Sequence, residues 1–236
     1  MKIEFGIIAA MEAECEALKT AMNDIKEYQY GQMTFWQGMF NGRNIVLSQC
    51  GIGKVAAAVG TTLLIEKFSP KYIINTGSAG GFAADLNIGD IIVSEKMAYH
   101  DVDLTSFDHY VIGQMAGCEP EFYADNNLLE TAANITPSDS KVKLRKGFIV
   151  SGDSFISAME QQQKIQQDFP TADVIEMEAA AIAHTCVLLN TPFIAIRSVS
   201  DVINRQGNHI DFYEFLPIAA KNSLDIVSQI LQKHPK

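Results

Sequence analysis

Short apolar runs alternate with amphipathic stretches along almost all of this 236-residue chain. That is the pattern of strands feeding helices, so the chain is constrained to an α/β fold. Lys2–Ala9 reads as a buried strand, and Met11–Met22, rich in Ala, Glu and Leu, as the helix after it. Thr34–Phe40 and Arg43–Gln49 flank Asn41-Gly42, a dipeptide tolerant of positive φ and a strong hairpin signal, so the sheet is expected to be mixed. Further on, helices are expected over Val55–Phe68, Asn126–Asn134, Met159–Asp168, Glu178–Leu189 and Phe212–Gln232. Strands are expected over Lys71–Asn75, Ile91–Met97, Gly147–Val150, Asp173–Ile175 and Phe193–Val199. Tyr99–Glu121 has no clear period, and loops of such length in a compact domain are usually functional or interfacial. No repeat, low-complexity tract or linker divides residues 1–236, so one domain is expected.

Charge narrows the class of partner. Eighteen Lys and Arg against twenty-eight Asp and Glu give a net charge of −10 and a pI near 4.9. This argues against a protein that neutralises nucleic-acid phosphates, or one that sits on an anionic membrane. Phe5–Met11 is apolar but short, with Glu4 before it and Glu12, Glu14 and Glu16 after it; that is too acidic for a signal peptide. Cys15, Cys50, Cys118 and Cys186 show no paired spacing, which fits reduced thiols and a cytoplasmic location. No His, Cys and carboxylate cluster has ligand spacing, so no metal is expected.

The polar groups of interest stand just past the apolar runs, where open α/β sheets place their ligands. Glu14 lies in the first turns of the first helix, Glu176 and Glu178 bracket Met177 at a strand-to-helix junction, and Asp201 follows the strand Phe193–Val199. Taken singly, a carboxylate at such a junction is more often an N-cap, a first-turn charge or a solvated side chain. Two glycine-rich turns, Gly51-x-Gly53 before a helix and Gly77-Ser78-Ala79-Gly80-Gly81 after a strand, would let backbone N–H groups approach a ligand. Neither fits a dinucleotide fingerprint or a P-loop, and Lys54 reads as a helix-start lysine reaching solvent. His100 reads as an interface or hydrogen-bonding residue and His184 as a satisfied, partly buried one.

Taken together, seven ordered blocks are specific. They are Gly6-Ile7-Ile8-Ala9-Ala10-Met11-Glu12-Ala13-Glu14, Ser48-Gln49-Cys50-Gly51-Ile52-Gly53-Lys54-Val55-Ala56-Ala57-Ala58 and Ile74-Asn75-Thr76-Gly77-Ser78-Ala79-Gly80-Gly81. Next come Tyr99-His100-Asp101-Val102-Asp103, Val150-Ser151-Gly152-Asp153-Ser154-Phe155-Ile156, Glu176-Met177-Glu178-Ala179 and Arg197-Ser198-Val199-Ser200-Asp201-Val202. Through them the chain resembles, over nearly its whole length, the bacterial methylthioadenosine/S-adenosylhomocysteine nucleosidases of the purine nucleoside phosphorylase-like superfamily.

The resemblance implies a three-layer αβα sandwich with a central mixed sheet, and hydrolysis of an adenine nucleoside with no cofactor. Asp201 would be the general acid that protonates adenine N7, and Glu14 the residue that orients and deprotonates the attacking water. Glu178, with Met177, would grip the ribose hydroxyls; Glu176 would support it, and Ser78 would serve the water and ribose end. Phe155 would stack on the base while the backbone of Ile156 reads its edge. Met11, Ile52, Leu104, Phe107 and Phe212 match the family's apolar positions around the 5′ thioether.

In the family a neighbouring subunit completes that lining through the segment Phe107–Ile112, so a homodimer is implied, joined through Asp101–Pro120 and the helix after Gly53. This segment reads as one residue longer than the family pattern, leaving either His109 or Tyr110 to reach across. A second extra residue falls in Asn204–His209, which would act as a lid before Phe212. Phosphorylases of the superfamily break the same bond with phosphate, which needs convergent Arg and Lys donors; Glu14 on the nucleophile side favours water. The remaining alternatives are a hydrolase of another adenine nucleoside, of the aminodeoxyfutalosine type, and a non-catalytic nucleoside-binding protein. Ionisation of a free Asp near neutrality requires Asp201 to be perturbed by a closed, acidic site. Arg197, four residues earlier on the same strand face, is expected to turn toward another carboxylate.

Overall fold

In the computed structural model, residues 2–83, 85–202 and 208–235 are described, those of 208–213 by their backbone alone. The chain opens with β1 (Phe5–Ala9), α1 (Glu12–Ala21), β2 (Asn23–Tyr30), β3 (Met33–Phe40), β4 (Arg43–Gln49), α2 (Lys54–Phe68), β5 (Tyr72–Gly81) and β6 (Ile91–Tyr99). It continues with β7 (Phe122–Tyr123), α3 (Asn126–Ala133), β8 (Leu144–Ser151), α4 (Met159–Asp168), β9 (Val174–Glu176), α5 (Ala179–Leu188), β10 (Phe193–Val202) and α6 (Asn208–Lys233). The expected Asn41-Gly42 hairpin forms, with φ of 50° and 72° at the two residues joining antiparallel β3 and β4.

One mixed sheet runs β10-β6-β8-β9-β5-β1-β4-β3-β2, with β7 on the edge of β6. Because β10 also pairs with β5, the strands β10, β6, β8, β9 and β5 close into a ring from which the other four extend. Helices α1, α3 and α6 cover one face and α2 and α5 the other, the three layers the resemblance implied. Parallel β1 and β5 are buried on both faces, which is why they read as continuous apolar runs.

Three readings of the strands need correction. Gly77–Gly81 is not a turn after a strand but the second half of β5. There β5 is flanked by β10 and β9 at once, and a Cβ on Gly81 would meet Val199 at 3.2 Å. Glycine is selected there by close side chains rather than by a bend. β10 extends to Val202, so Asp201 lies within the strand. β2 is a strand beyond those expected from the sequence: Asn23–Tyr30 is polar and mostly exposed, and only Tyr28 and Tyr30 pack against the core.

Candidate active site

The C-terminal ends of β1, β5, β9 and β10 meet where the four carboxylates stand. Glu14, in the first turn of α1, is buried and its side chain turns back on its own helix start: Oε2 accepts from the N–H groups of Ala10 (3.2 Å) and Met11 (3.1 Å). Oε1 accepts from the N–H (2.9 Å) and hydroxyl (3.0 Å) of Ser78 on β5. One side chain thus binds both the start of α1 and Ser78, because α1 starts beside β5. Gly77 leaves room for it, since a Cβ there would lie 3.0 Å from Glu14 Oε1.

Glu176 ends β9 and caps α5, accepting from the N–H groups of Glu178 (2.9 Å) and Ala179 (2.9 Å) and from the hydroxyl of Ser151. Arg197 Nη2 donates to Glu176 at 2.6 Å and to Asn75 at 2.5 Å, so its expected turn toward another carboxylate is observed. Glu178, one residue before α5, is buried and accepts from Gly53 N–H at 2.8 Å. Burial, with Glu176 beside it, pushes the Glu178 carboxyl up to about 8, against the pull of the Gly53 bond and Arg197.

Asp201 is buried and accepts a hydrogen bond from the Ser200 hydroxyl at 2.9 Å. The pairing of β10 with β5 slips between Val199, opposite Ala79, and Asp201, opposite Gly80. One extra residue in a strand re-aims the side chain that follows it, and here the bulge takes Asp201 off the face it would otherwise share with Arg197. With Gly80, Ser154, Phe155, Ile156, Ile175, Glu176 and Met177, Asp201 lines a narrow cleft. Ile156 is buried at its wall and Phe155 is half exposed at its rim.

The predicted 5′ residues are less closely gathered. Met11 adjoins Glu14 through its N–H, whereas Ile52 and Phe107 are exposed, and Leu104 and Phe107 lie in one turn of the 101–120 segment. The side chain of Phe212, whose backbone lies in α6, and the loop 203–207 lie outside what is described. His109 and Tyr110 stand ring to ring, 4.2 Å between centroids. His184 is satisfied by Tyr99 and Cys118, as expected. Lys54, read as solvent-facing, instead grips Asp101 with both carboxylate oxygens at 2.7 Å. Only the distant segment Tyr99–Asp103, folded back beside α2, could reveal that partner. Among the described residues no group of His, Cys, Asp and Glu is arranged to hold a metal.

Known proteins are similar to this chain in sequence and fold. Residues 4–232 match the phosphorylase superfamily. A 5′-methylthioadenosine/S-adenosylhomocysteine nucleosidase of Actinobacillus succinogenes is 44% identical over 97% of this chain and 98% of its own length. The solved nucleosidase of Colwellia psychrerythraea, in complex with adenine, superposes with a TM-score of 0.95 at 42% identity, over 99% of this chain and 96% of its own. That of Neisseria meningitidis, bound to methylthio-immucillin-A, gives 0.92 at 39% identity, over 97% and 98%. A buried carboxylate cluster on this fold, in a sequence so close to theirs along its full length, makes this chain a member of the phosphorylase superfamily and, within it, of the 5′-methylthioadenosine/S-adenosylhomocysteine nucleosidases.

Proposed function

We propose that this chain hydrolyses the N-glycosidic bond of 5′-methylthioadenosine and S-adenosylhomocysteine, releasing adenine and the thioribose, with Asp201 as acid and Glu14 as base. The observation that carries the reading is that buried Glu176 and Asp201 line one cleft, with buried Glu178 beside Glu176, Glu14 on Ser78 two residues along β5 from the Gly80 that pairs with Asp201, and, among the described residues, the buried guanidinium of Arg197 on Glu176. A purine leaves readily only as a neutral molecule. Asp201 gives its proton to N7 while the bond to C1′ breaks, help of the order of 10²–10⁴ in rate. The sugar becomes an oxocarbenium cation. Carboxylates around it attract that cation more than they attract the neutral substrate, which is the condition for catalysis.

Glu14 receives the proton of the attacking water, whose oxygen bonds to C1′. Of the four donors now on Glu14, only the Ser78 hydroxyl can rotate away, so a water entering there would displace that bond and leave Ser78 free for the ribose end. Glu178 and Met177 take the ribose hydroxyls, Phe155 stacks on adenine and Ile156 reads its edge. Met11, Ile52, Leu104, Phe107 and Phe212 line the thioether end. Arg197 is committed to Glu176 and Asn75, and the surplus of carboxylates repels phosphate dianion, which supports water as nucleophile.

The exposed apolar side chains Val55 and Val59 on α2, and Phe107, Val111 and Met115 in the 101–120 segment, support a homodimer whose neighbour completes the 5′ subsite. Residues 1–236 act as one domain, in the cytoplasm. That no described helix is long and apolar enough to cross a membrane, together with four free cysteines, agrees with this placement.

Methylthioadenosine in phosphate-free buffer is expected to yield adenine. Release only on adding phosphate would make the enzyme a phosphorylase, and binding without turnover over hours would make it a binding protein. Asp201→Asn keeps the shape of the site and removes the transferable proton. Its turnover should fall by about 10²–10⁴ while nucleoside binding stays within about tenfold. Near-normal turnover in this variant would remove Asp201 from the acid role.

A further inference from the structure

We infer that Lys54, Asp101 and Asp153 form a positioning clasp, outside the catalytic carboxylates, that holds the Gly53 peptide against Glu178 and the Phe155 loop beside it. The three residues come from three separate segments: the start of α2, the stretch after β6 and the loop after β8. Lys54 Nζ donates to both Asp101 oxygens at 2.7 Å and lies 3.8 Å from Asp153 Oδ2. Asp153 N–H donates to Asp101 Oδ2 at 2.9 Å, and Asp153 Oδ1 accepts from Lys54 N–H at 2.7 Å. The triangle is closed on every side.

Its connection to the site runs through two consecutive peptides. Gly53 N–H points to Glu178 at 2.8 Å, and the next N–H, that of Lys54, points to Asp153 at 2.7 Å. Asp153 thus caps the N-terminus of α2, where negative charge is favoured, and in doing so sets the direction of the neighbouring donor. Gly53 tolerates this at φ 93°, and a Cβ there would lie 2.9 Å from Asp153 Oδ1. At the other end of the clasp, Asp153 stands two residues before Phe155, so the same contacts place the loop that lines the cleft. Burial pushes the Asp101 carboxyl up, but Lys54 and the Asp153 N–H outweigh it and hold Asp101 below its ordinary value. The ion pair therefore stays formed across the neutral range.

Half-exposed pairs of this kind contribute little to stability, so the effect should be read in the pH dependence of turnover. Glu178 is faced by Glu176 from β9, Arg197 from β10, Glu14 from α1, and Cys50 and the Gly53 N–H from the turn before α2. Of these, the Gly53 bond favours the ionised carboxyl, and loosening it moves the ionisation upward.

The inference rests on the nucleosidase reading, and wild-type release of adenine from methylthioadenosine tests that reading separately. With the wild type active, Lys54→Met and Asp153→Ala should each lower kcat/KM by about 10–100-fold, on the scale of a misplaced binding group. They should also shift the acidic limb of its pH profile to higher pH, with thermal midpoints near wild type. Lys54→Arg restores the cation and Asp153→Asn keeps the cap oxygen, and both should return most of the activity and the original limb. Comparing Asp153→Ala with Asp153→Asn decides the matter even if Lys54→Met folds poorly. An unshifted limb and kcat/KM within twofold of wild type in Asp153→Ala would overturn the clasp.

Discussion

Two buried arginines sit at opposite ends of the same sheet and serve different purposes. Arg43 opens β4, at the end away from the cleft, and gives Nε to Leu231 C=O (2.9 Å), Nη1 to Glu4 (2.5 Å) and Nη2 to the His234 carbonyl. Each of its nitrogens has a partner, two of them carbonyls at the end of α6, so it ties the C-terminal helix to the sheet. Arg197 lies in mid-β10 at 1% exposure, shares Nη2 between Asn75 and Glu176, and leaves Nε without a partner among the described residues. Glu178 and Glu14 also act on it electrostatically. A guanidinium that completes a hydrogen-bond set is a fastener; one placed among surplus carboxylates also acts on how readily Glu178 ionises.

Variants of the two residues should separate these purposes. Arg197→Met leaves Glu176 buried without its counter-ion, which should cost about 3–5 kcal/mol, or roughly 6–20 °C in Tm for a chain of this size. Turnover should also fall at least about 10²-fold at temperatures where the variant is folded, because the Glu176–Glu178 pair loses its cation. Thermal melts and adenine release on the same sample check both. Arg43→Met should cost about 3 kcal/mol through the stranded Glu4 and carbonyls, yet leave kcat unchanged below its lowered Tm. A loss of kcat there would break the contrast.

The wild-type pH profile offers a smaller effect. Glu178 is held near 8, so it is largely protonated at neutrality and ionises as pH rises. If the ionised form serves the cationic transition state, kcat/KM should climb with pH toward about 8, up to tenfold per unit on the acidic side, until ionisation of the general acid opposes it. Arg197 favours the ionised form, so Arg197→Met should move that limb still higher, whereas Arg43→Met should not move it. Smallest of all, Glu4→Gln should cost only about 1 kcal/mol, because the Glu4 side chain is already 33% exposed; denaturant melts would show it.

Much of this arrangement was legible along the chain, for reasons local to it. Asn41-Gly42 located the β3–β4 turn, because positive-φ turns are specified by near neighbours. The four carboxylates and Ser78 were legible only as a set, through ordered motifs, since a carboxylate alone at such a junction is more often a cap. Glu14 and Glu176 do accept from backbone N–H groups at the starts of α1 and α5. β2 is hard to read from sequence because this edge strand is polar and exposed over Asn23–Glu27 and only Tyr28 and Tyr30 turn toward the core.

From its residues alone the chain determined an α/β fold, the acidic character of its site and which side chains could hold or move a proton, because these follow from side-chain chemistry and short-range periodicity. Tertiary structure decided the rest. Closure of β10 onto β5 made a strand of what looked like a glycine turn, and the bulge before Asp201 separated it from Arg197. Lys54 was drawn from solvent to Asp101, 47 residues away. Such outcomes depend on which backbones lie side by side and which charges share a low-dielectric interior, and neither is set by residues adjacent in sequence.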